Sequence, residues 1–301
     1  MTINQEQFSA TAPWRVEYPF ASHWEELPGN VRLHYVDEPG GGTPVVMVHG
    51  NPTWSFHFRH VIQALRGDRR CIAPDHIGCG LSDKPQDYEY RLARHVANLE
   101  ELLIGRLKLK RFSLLLHDWG GAIGMGVAVR HPECVEKIAL LNTAAFLDSF
   151  CPLRIRVCRI PGFGALAIRG FNAFALGAVH MAAVRPGSLT AAARAGYLAP
   201  YGNWRDRIAT HRFVEDIPLA PRHPTWDVVR GIEQQLPLLA GKPLRILWGG
   251  RDFCFDDRFL RRWRQIFPQA RVTRFADAGH YLLEDARAEV VPLLREFFAE
   301  G

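Results

Sequence analysis

The stretch Phe112-Ser113-Leu114-Leu115-Leu116-His117-Asp118-Trp119-Gly120-Gly121-Ala122-Ile123-Gly124-Met125-Gly126 constrains this chain more than any other. An apolar run that stops at a charged residue, passes two glycines and resumes with helical spacing predicts a strand, a sharp elbow and a helix. Asp118 falls at the apex, where the amides of a helix start surround it. Asp is a common N-cap there. The isolated junction favours the cap, but at the carboxyl end of a buried strand Asp118 is also placed to act as a nucleophile, with a chemistry unlike that of serine. The rest of the chain decides between these readings.

Two β-like runs, Arg15-Val16-Glu17-Tyr18 and Val31-Arg32-Leu33-His34-Tyr35-Val36-Asp37, flank Pro28-Gly29-Asn30 and predict an antiparallel pair at a sheet edge. Pro44-Val45-Val46-Met47-Val48 lacks polar alternation, which marks a strand buried on both faces. It ends in His49-Gly50-Asn51-Pro52-Thr53-Trp54, about 70 residues before Asp118, where a freed backbone amide suits an oxyanion hole. Arg70-Cys71-Ile72-Ala73-Pro74 is a further strand. The loop from Asp75 to Pro85 holds G-x-G without a third glycine or a following helix, which excludes a dinucleotide fingerprint. A helix is expected over Leu92 to Leu103, and a buried strand over Val135 to Asn142.

From Ala144 to Arg222 strand signals cease and Ala, Arg, Phe and Gly dominate. Helices are expected over Ile168 to Val184 and Tyr197 to Phe213. An insertion of this length between sheet strands reads as a cap, giving three segments: core 1–143, helical cap 144–222 and core 223–301. The apolar stretches Ile160 to Leu166 and Phe171 to Leu176 either line an acyl tunnel or pack cap helices together. Arg159, Arg169 and Arg185 argue against a membrane hairpin. Strand Leu244 to Trp248, a helix through Arg258 to Phe267, strand Arg271 to Phe275 and a closing helix from Glu284 to Phe298 complete an α/β pattern with a mostly parallel, doubly wound sheet. Loops at the strand ends then gather Asn51, Asp118, Asp252 and His280 at one edge.

The 301 residues are 48% hydrophobic and 23% charged, with net charge +6. The arginines are scattered and no nucleic-acid motif accompanies them, so a solvated basic surface is expected, with no nucleic-acid partner. Six cysteines without metal or C-x-x-C spacing point to reduced, cytoplasmic thiols and no metal. The segment Met1 to Glu6 carries no leader pattern, and no apolar run is long enough to span a bilayer.

Asp118, Asp252 and His280 follow strands in the chain order nucleophile, acid, base of the α/β-hydrolase fold, which this chain resembles. The usual elbow is G-x-S-x-G; here Asp replaces Ser and Leu116 replaces the first glycine. Asp256, Asp257 and Asp277 are weaker candidates for the acid, the first two read as capping or solvated residues. His49 to Trp54, Asp75 to Pro85 and His117 to Gly121 resemble the haloalkane dehalogenase family over nearly the whole chain. That resemblance implies Asp118 as nucleophile, His280 as base and Asp252 as its partner, with Asn51 and Trp119 holding the leaving group. One branch of the family carries its acid where this chain has Asn142.

Leu141 to Phe146, Arg169 to Ala175, Tyr197 to Tyr201, Arg207 to Thr210 and Phe213 to Leu219 are in turn similar to the β-lactone decarboxylases of bacterial long-chain olefin biosynthesis. This implies a cis-3,4-dialkyl-oxetan-2-one substrate, an olefin and carbon dioxide as products, no cofactor, and assembly with neighbouring pathway enzymes. Whether Asp118 attacks the lactone carbonyl or the carbon bearing the ring oxygen stays open at this level. The alternative is hydrolysis of alkyl halides. Epoxide hydrolysis uses cap tyrosines, and although Tyr197 and Tyr201 lie in the cap, Trp119 and Asn51 already suit an anion, which disfavours it; a non-catalytic receptor would have no use for a matched acid and base.

Overall fold

A computed structural model describes residues 12–299. The expectation made for Met1 to Glu6 lies outside the described residues. Eight strands form one sheet: β1 (Ser22–Leu27), β2 (Val31–Glu38), β3 (Val45–Val48), β4 (Cys71–Pro74), β5 (Phe112–Asp118), β6 (Val135–Thr143), β7 (Leu244–Gly249) and β8 (Arg271–Phe275). Their order is β1-β2-β4-β3-β5-β6-β7-β8, antiparallel at β1, β2 and β4 and parallel from β4 through β8.

Alternation along the central strands explains the two layers. Val46, Val48, Leu114 and Leu116 enter one core together with Leu92, Ile123 and Trp263, whereas Val45, Met47 and Leu115 enter the other with Val61, Leu294 and Phe297. Every residue of β3 and β5 is buried. Truncating such a leucine to alanine removes about 2–5 kcal/mol.

The helices are α1 (Arg59–Leu65), α2 (Leu92–Glu100), α3 (Trp119–Ala128), α4 (Leu153–Val157), α5 (Phe163–Ala165), α6 (Ala173–Met181), α7 (Ala191–Leu198), α8 (Ile208–Glu215), α9 (Trp226–Gln235), α10 (Asp257–Ile266), α11 (Leu282–Asp285) and α12 (Arg287–Ala299). The family of layers is the α/β-hydrolase fold expected from the strand-helix alternation. Several local expectations are corrected. Arg15 to Tyr18 is not a strand: Pro13, at the start, opens a 3-10 helix over Pro13–Glu17, and the edge strand is β1. The helix expected over Leu92 to Leu103 widens into a π-type turn at Glu101–Arg106. In place of one helix over Ile168 to Val184, a π-type turn at Leu166–Gly170 stops before Asn172, whose φ of 54° breaks the helical path, and α6 begins after it. The run Tyr197 to Phe213 is split between α7 and α8, with a Pro200-containing turn between them. The closing helix is interrupted at Ala286, between α11 and α12.

Buried polar contacts tie the helices that follow β6 to the sheet. The Asp216 carboxylate accepts from the Leu92 amide at the start of α2 (2.8 Å) and from Arg91 (2.8 Å). Asp285 accepts from the amides of Gly279 (2.7 Å) and Val184 (2.9 Å), which fixes the loop before His280 against the chain that leaves α6. Arg59 forms a two-pronged pair with Glu284 (2.6 and 3.0 Å), and the Tyr197 hydroxyl donates to the same carboxylate (2.7 Å). Both charges are buried, and removing Arg59 leaves the Glu284 carboxylate uncompensated, at a cost of about 3–5 kcal/mol, whereas Arg59 keeps a second partner in Glu17 at 2.9 Å.

Candidate active site

The elbow forms where the sequence places it. Asp118 ends β5 with φ 54° and ψ −128°, a left-handed conformation that costs a non-glycine residue roughly 1–3 kcal/mol. The unusual Leu116 is accommodated by the helix that follows: Gly124 lies so close to the Leu116 side chain that a Cβ there would collide with it. The strained turn lifts the Asp118 carboxylate off the end of the sheet. A second close approach comes from Gly50, where a Cβ would overlap the Asp118 carboxylate itself.

The two carboxylate oxygens have different surroundings. Oδ1 accepts from the Asn51 backbone amide at 2.7 Å, the amide released by the turn after β3. Oδ2 lies 3.5 Å from His280 Nε2. His280 Nδ1–H donates to Asp252 Oδ2 at 2.7 Å, and Asp252 Oδ1 accepts from the Cys254 amide at 2.6 Å. Beneath the ring, His117 Nε2–H donates to the His280 carbonyl at 2.9 Å. All three triad candidates are buried.

Burial raises the Asp118 carboxyl above its ordinary value, against the opposing pull of His280 and the amides of Asn51 and Trp119. Burial alone would lower His280; the charge of Asp252, its hydrogen bond and the charge of Asp118 overcome that and raise it. His117 and His57 are driven well below the ordinary range, first by burial, and stay neutral. The Cys254 thiol is pushed well up by burial and by the nearby carboxylates, so it stays protonated and is a poor nucleophile.

The carboxylate opens on a cavity of about 270 Å³. Asn51, Asp118, Trp119 and His280 line it, together with apolar residues that include Phe146, Phe150, Phe174, Phe253 and Phe255. Asn51 Nδ2 donates to the Thr210 carbonyl of α8 at 3.1 Å, which holds the amide at the cavity wall. The Trp119 ring packs on Phe213 at 5.4 Å between centroids. All five sequence-identified residues therefore meet in one place.

The remaining candidates do not. Asp256 caps α10 through the Arg258 amide (2.9 Å), Asp257 pairs with Arg274 (2.8 Å) and Asp277 with Arg185 (2.7 Å). Asn142 bridges β6 to β7, donating to the Gly249 carbonyl (3.0 Å) and accepting from the Gly249 amide (2.7 Å). Tyr197 and Tyr201 are fully buried, and neither lines the cavity, so epoxide activation by a cap tyrosine lacks its donor. Of the two apolar stretches, Ala173 and Phe174 reach the cavity, whereas Ile160, Phe163 and Leu166 face outward. The sequence reading missed the loop after Asp252, where Phe255 stacks on His280 at 5.8 Å and 20°. The signal was there, as two phenylalanines flanking a cysteine directly behind the acid. Among the described residues no group of His, Cys, Asp and Glu could hold a metal ion, and no helix is long and apolar enough to cross a membrane.

The elbow, the order of the three residues and the sheet define a class, and the chain belongs to the alpha/beta hydrolase family, whose sequence profile matches residues 45–293. Within it, the chain is 45% identical over 287 residues to the cis-3-alkyl-4-alkyloxetan-2-one decarboxylase of Shewanella oneidensis, covering 94% of this chain and 89% of that one. It is 42% identical to the decarboxylase of the same name from Xanthomonas campestris, covering 93% and 96%. Haloalkane dehalogenase 2 of Mycobacterium tuberculosis is more distant, at 34% identity over 93% of this chain and 96% of its own length. Among solved structures, an ancestral haloalkane dehalogenase superposes with a TM-score of 0.82 at 27% identity, covering 93% and 98% of the two chains.

Proposed function

We propose that this chain is a cis-3-alkyl-4-alkyloxetan-2-one decarboxylase, releasing a cis-olefin and carbon dioxide without a cofactor. Asp118 is its nucleophile, His280 and Asp252 are its charge partners, Asn51 and Trp119 are its leaving-group donors, and residues 144–222 are its cap. The observation that carries the reading is the divided Asp118 carboxylate, with Oδ1 fixed by the Asn51 amide and Oδ2 left at the apolar cavity beside His280. Identity of 45% and 42% to two decarboxylases, against 34% to a dehalogenase, favours the lactone over the halide.

On this reading Oδ2 attacks the ring carbon that bears oxygen and breaks that carbon–oxygen bond. The products of this step are an alkyl ester of Asp118 and a free carboxylate, which the N–H groups of Asn51 and Trp119 are suited to meet. The bond to the carboxylate then breaks, its electron pair forms the alkene, and the ester oxygen leaves with its own pair as the Asp118 carboxylate. No proton is gained or lost. Inversion in the first step sets the Asp118 oxygen anti to the carboxylate, so anti loss in the second returns both alkyl groups to one side. A cis-lactone thus gives a cis-olefin. The charges of Asp252 and Asp118 raise His280 and so favour its cationic form, which can stabilise Asp118 as it regains its charge.

Six cysteines without a disulfide accord with a reducing cytoplasm, and assembly beside the enzymes that supply the lactone belongs to the same reading. The test is a paired product assay with a long-chain cis-β-lactone and with 1-bromohexane, each repeated on Asp118→Ala. Olefin and carbon dioxide that vanish in the variant are expected. Rapid release of halide and alcohol beside an untouched lactone would overturn the reading in favour of a dehalogenase.

A further inference from the structure

From residue 149 to residue 205 the chain carries seven arginines and no lysine, aspartate or glutamate. Among the described residues Arg185 alone of these seven enters an ion pair, with Asp277 and Glu289. The same stretch carries most of the exposed large apolar side chains. Leu153, Val157, Ile160, Phe163 and Leu166 recur every three or four residues, and Leu153 is 76% exposed. Ile155 and Gly164 between them, and Ile168 just after, are buried. The run is apolar toward the protein and apolar toward solvent as well. Helical segments of that kind are ordinarily covered on both sides.

The charges lie within this outer face. Arg156 is exposed between Leu153 and Val157. The Arg169 guanidinium lies over the exposed Trp204 ring at 4.5 Å. Arg154 lies over the Phe253 ring at 4.9 Å and touches Met181 Sδ at 2.8 Å. Arg154 and Met181 also line the cavity, and both are exposed, so the cavity reaches the margin of this face.

We propose that the outer face of residues 153–171, together with Trp204, docks on an anionic lipid surface. Apolar side chains at helical spacing enter the boundary between headgroups and acyl chains, and arginines without carboxylate partners meet lipid phosphates. A second copy of the chain fits poorly, because a two-fold contact through this face would set arginine against arginine. Docked in this way, the cavity margin at Arg154 and Met181 lies beside the lipid phase, from which an apolar substrate can enter.

The proposal is independent of the decarboxylase reading, since vesicle binding needs no substrate. The full chain is sedimented with vesicles of phosphatidylcholine alone and with vesicles that also contain phosphatidylglycerol. Partition onto the anionic vesicles is expected to be at least about tenfold higher and to fall as salt is added. Arg156→Glu, and separately the pair Ile160→Ser with Phe163→Ser, should each reduce it roughly tenfold. These side chains are exposed and do not line the cavity, so an unchanged melting temperature and unchanged turnover of a soluble substrate show that the variants are folded. Equal partition onto both vesicle types, no partition, or variants that bind like the parent overturns the proposal. So does a dimer dissolved by the same substitutions, which assigns the face to a second copy.

Discussion

Replacing Asp252 by Asn removes a buried negative charge 2.7 Å from His280 Nδ1 and keeps the shape of the side chain. A hydrogen bond to a charged partner contributes about 1.5–3 kcal/mol. That energy holds the proton on His280, so His280 should titrate lower in the variant. Asp118, at 3.5 Å, remains to hold part of the cation. The sign of the stability effect is set by the raised His280 in the parent. A raised group stabilises the fold fully below its unfolded value, about 6.5, and that contribution is lost as pH rises through the folded value. The variant should therefore be most destabilised in mildly acidic solution, and the gap should narrow in alkali. Part of the loss does not depend on pH, because an NH₂ group must face either the Cys254 amide or the His280 N–H. NMR titration of the His280 ring, with thermal melts at about pH 6 and about pH 9, measures both parts. His280 titrating at one pH in both proteins, or a melting-temperature difference equal at the two pH values, would refute the reasoning.

Gly50→Ala should lower the rate of olefin formation by about 100-fold, because the new Cβ displaces the Asp118 carboxylate it overlaps; a kcat within a few-fold of the parent would show that the carboxylate has room to move. Trp119→Phe keeps the packing on Phe213 but removes the indole N–H, and should lower kcat by about 10²–10³. Activity of Trp119→Phe close to that of the parent would remove Trp119 from the leaving-group donors.

The nucleophile, the base and the acid were legible because each comes after a sheet strand, and the carboxyl ends of parallel strands share one edge. Asn51 was legible for the same reason, at the end of β3. The features that stayed hidden depend on contacts between distant segments. Arg59, His57, Tyr197 and Glu284 are joined behind the site, with the Tyr197 hydroxyl 2.8 Å from His57 Nδ1, yet they come from an early helix region, the cap and the chain near the C-terminus. No spacing in the sequence announces them. The helix break at Asn172 was missed because an apolar, alanine-rich run keeps helical spacing across it, whereas the break at Pro200 had its signal in the proline itself, followed by Gly202 and Asn203. Likewise, Arg15 to Tyr18 alternates like a strand, but the docking of Trp14 and Tyr18 into the core beside Trp54 wins over that local pattern.

On the proposed route, one site serves two chemistries because the bound substrate sets the step after the first attack. An alkyl halide leaves Asp118 esterified with no electron pair of its own to expel it, so the ester waits for water and for a neutral His280. A β-lactone leaves the ester and a carboxylate on adjacent carbons, already anti, and fragmentation needs no second reactant. Two features are consistent with this unimolecular path. Phe255 stacks on the buried His280 ring, and the hydrogen-bonded Asp252 favours the cationic form of that ring over its use as a base. Esterifying Asp118 removes one of the two charges that raise His280, so Asp252 is the group that continues to favour the cation during the lifetime of the ester. The acid that would orient a base in a hydrolase therefore serves, with a lactone bound, to delay hydrolysis until carbon dioxide has left.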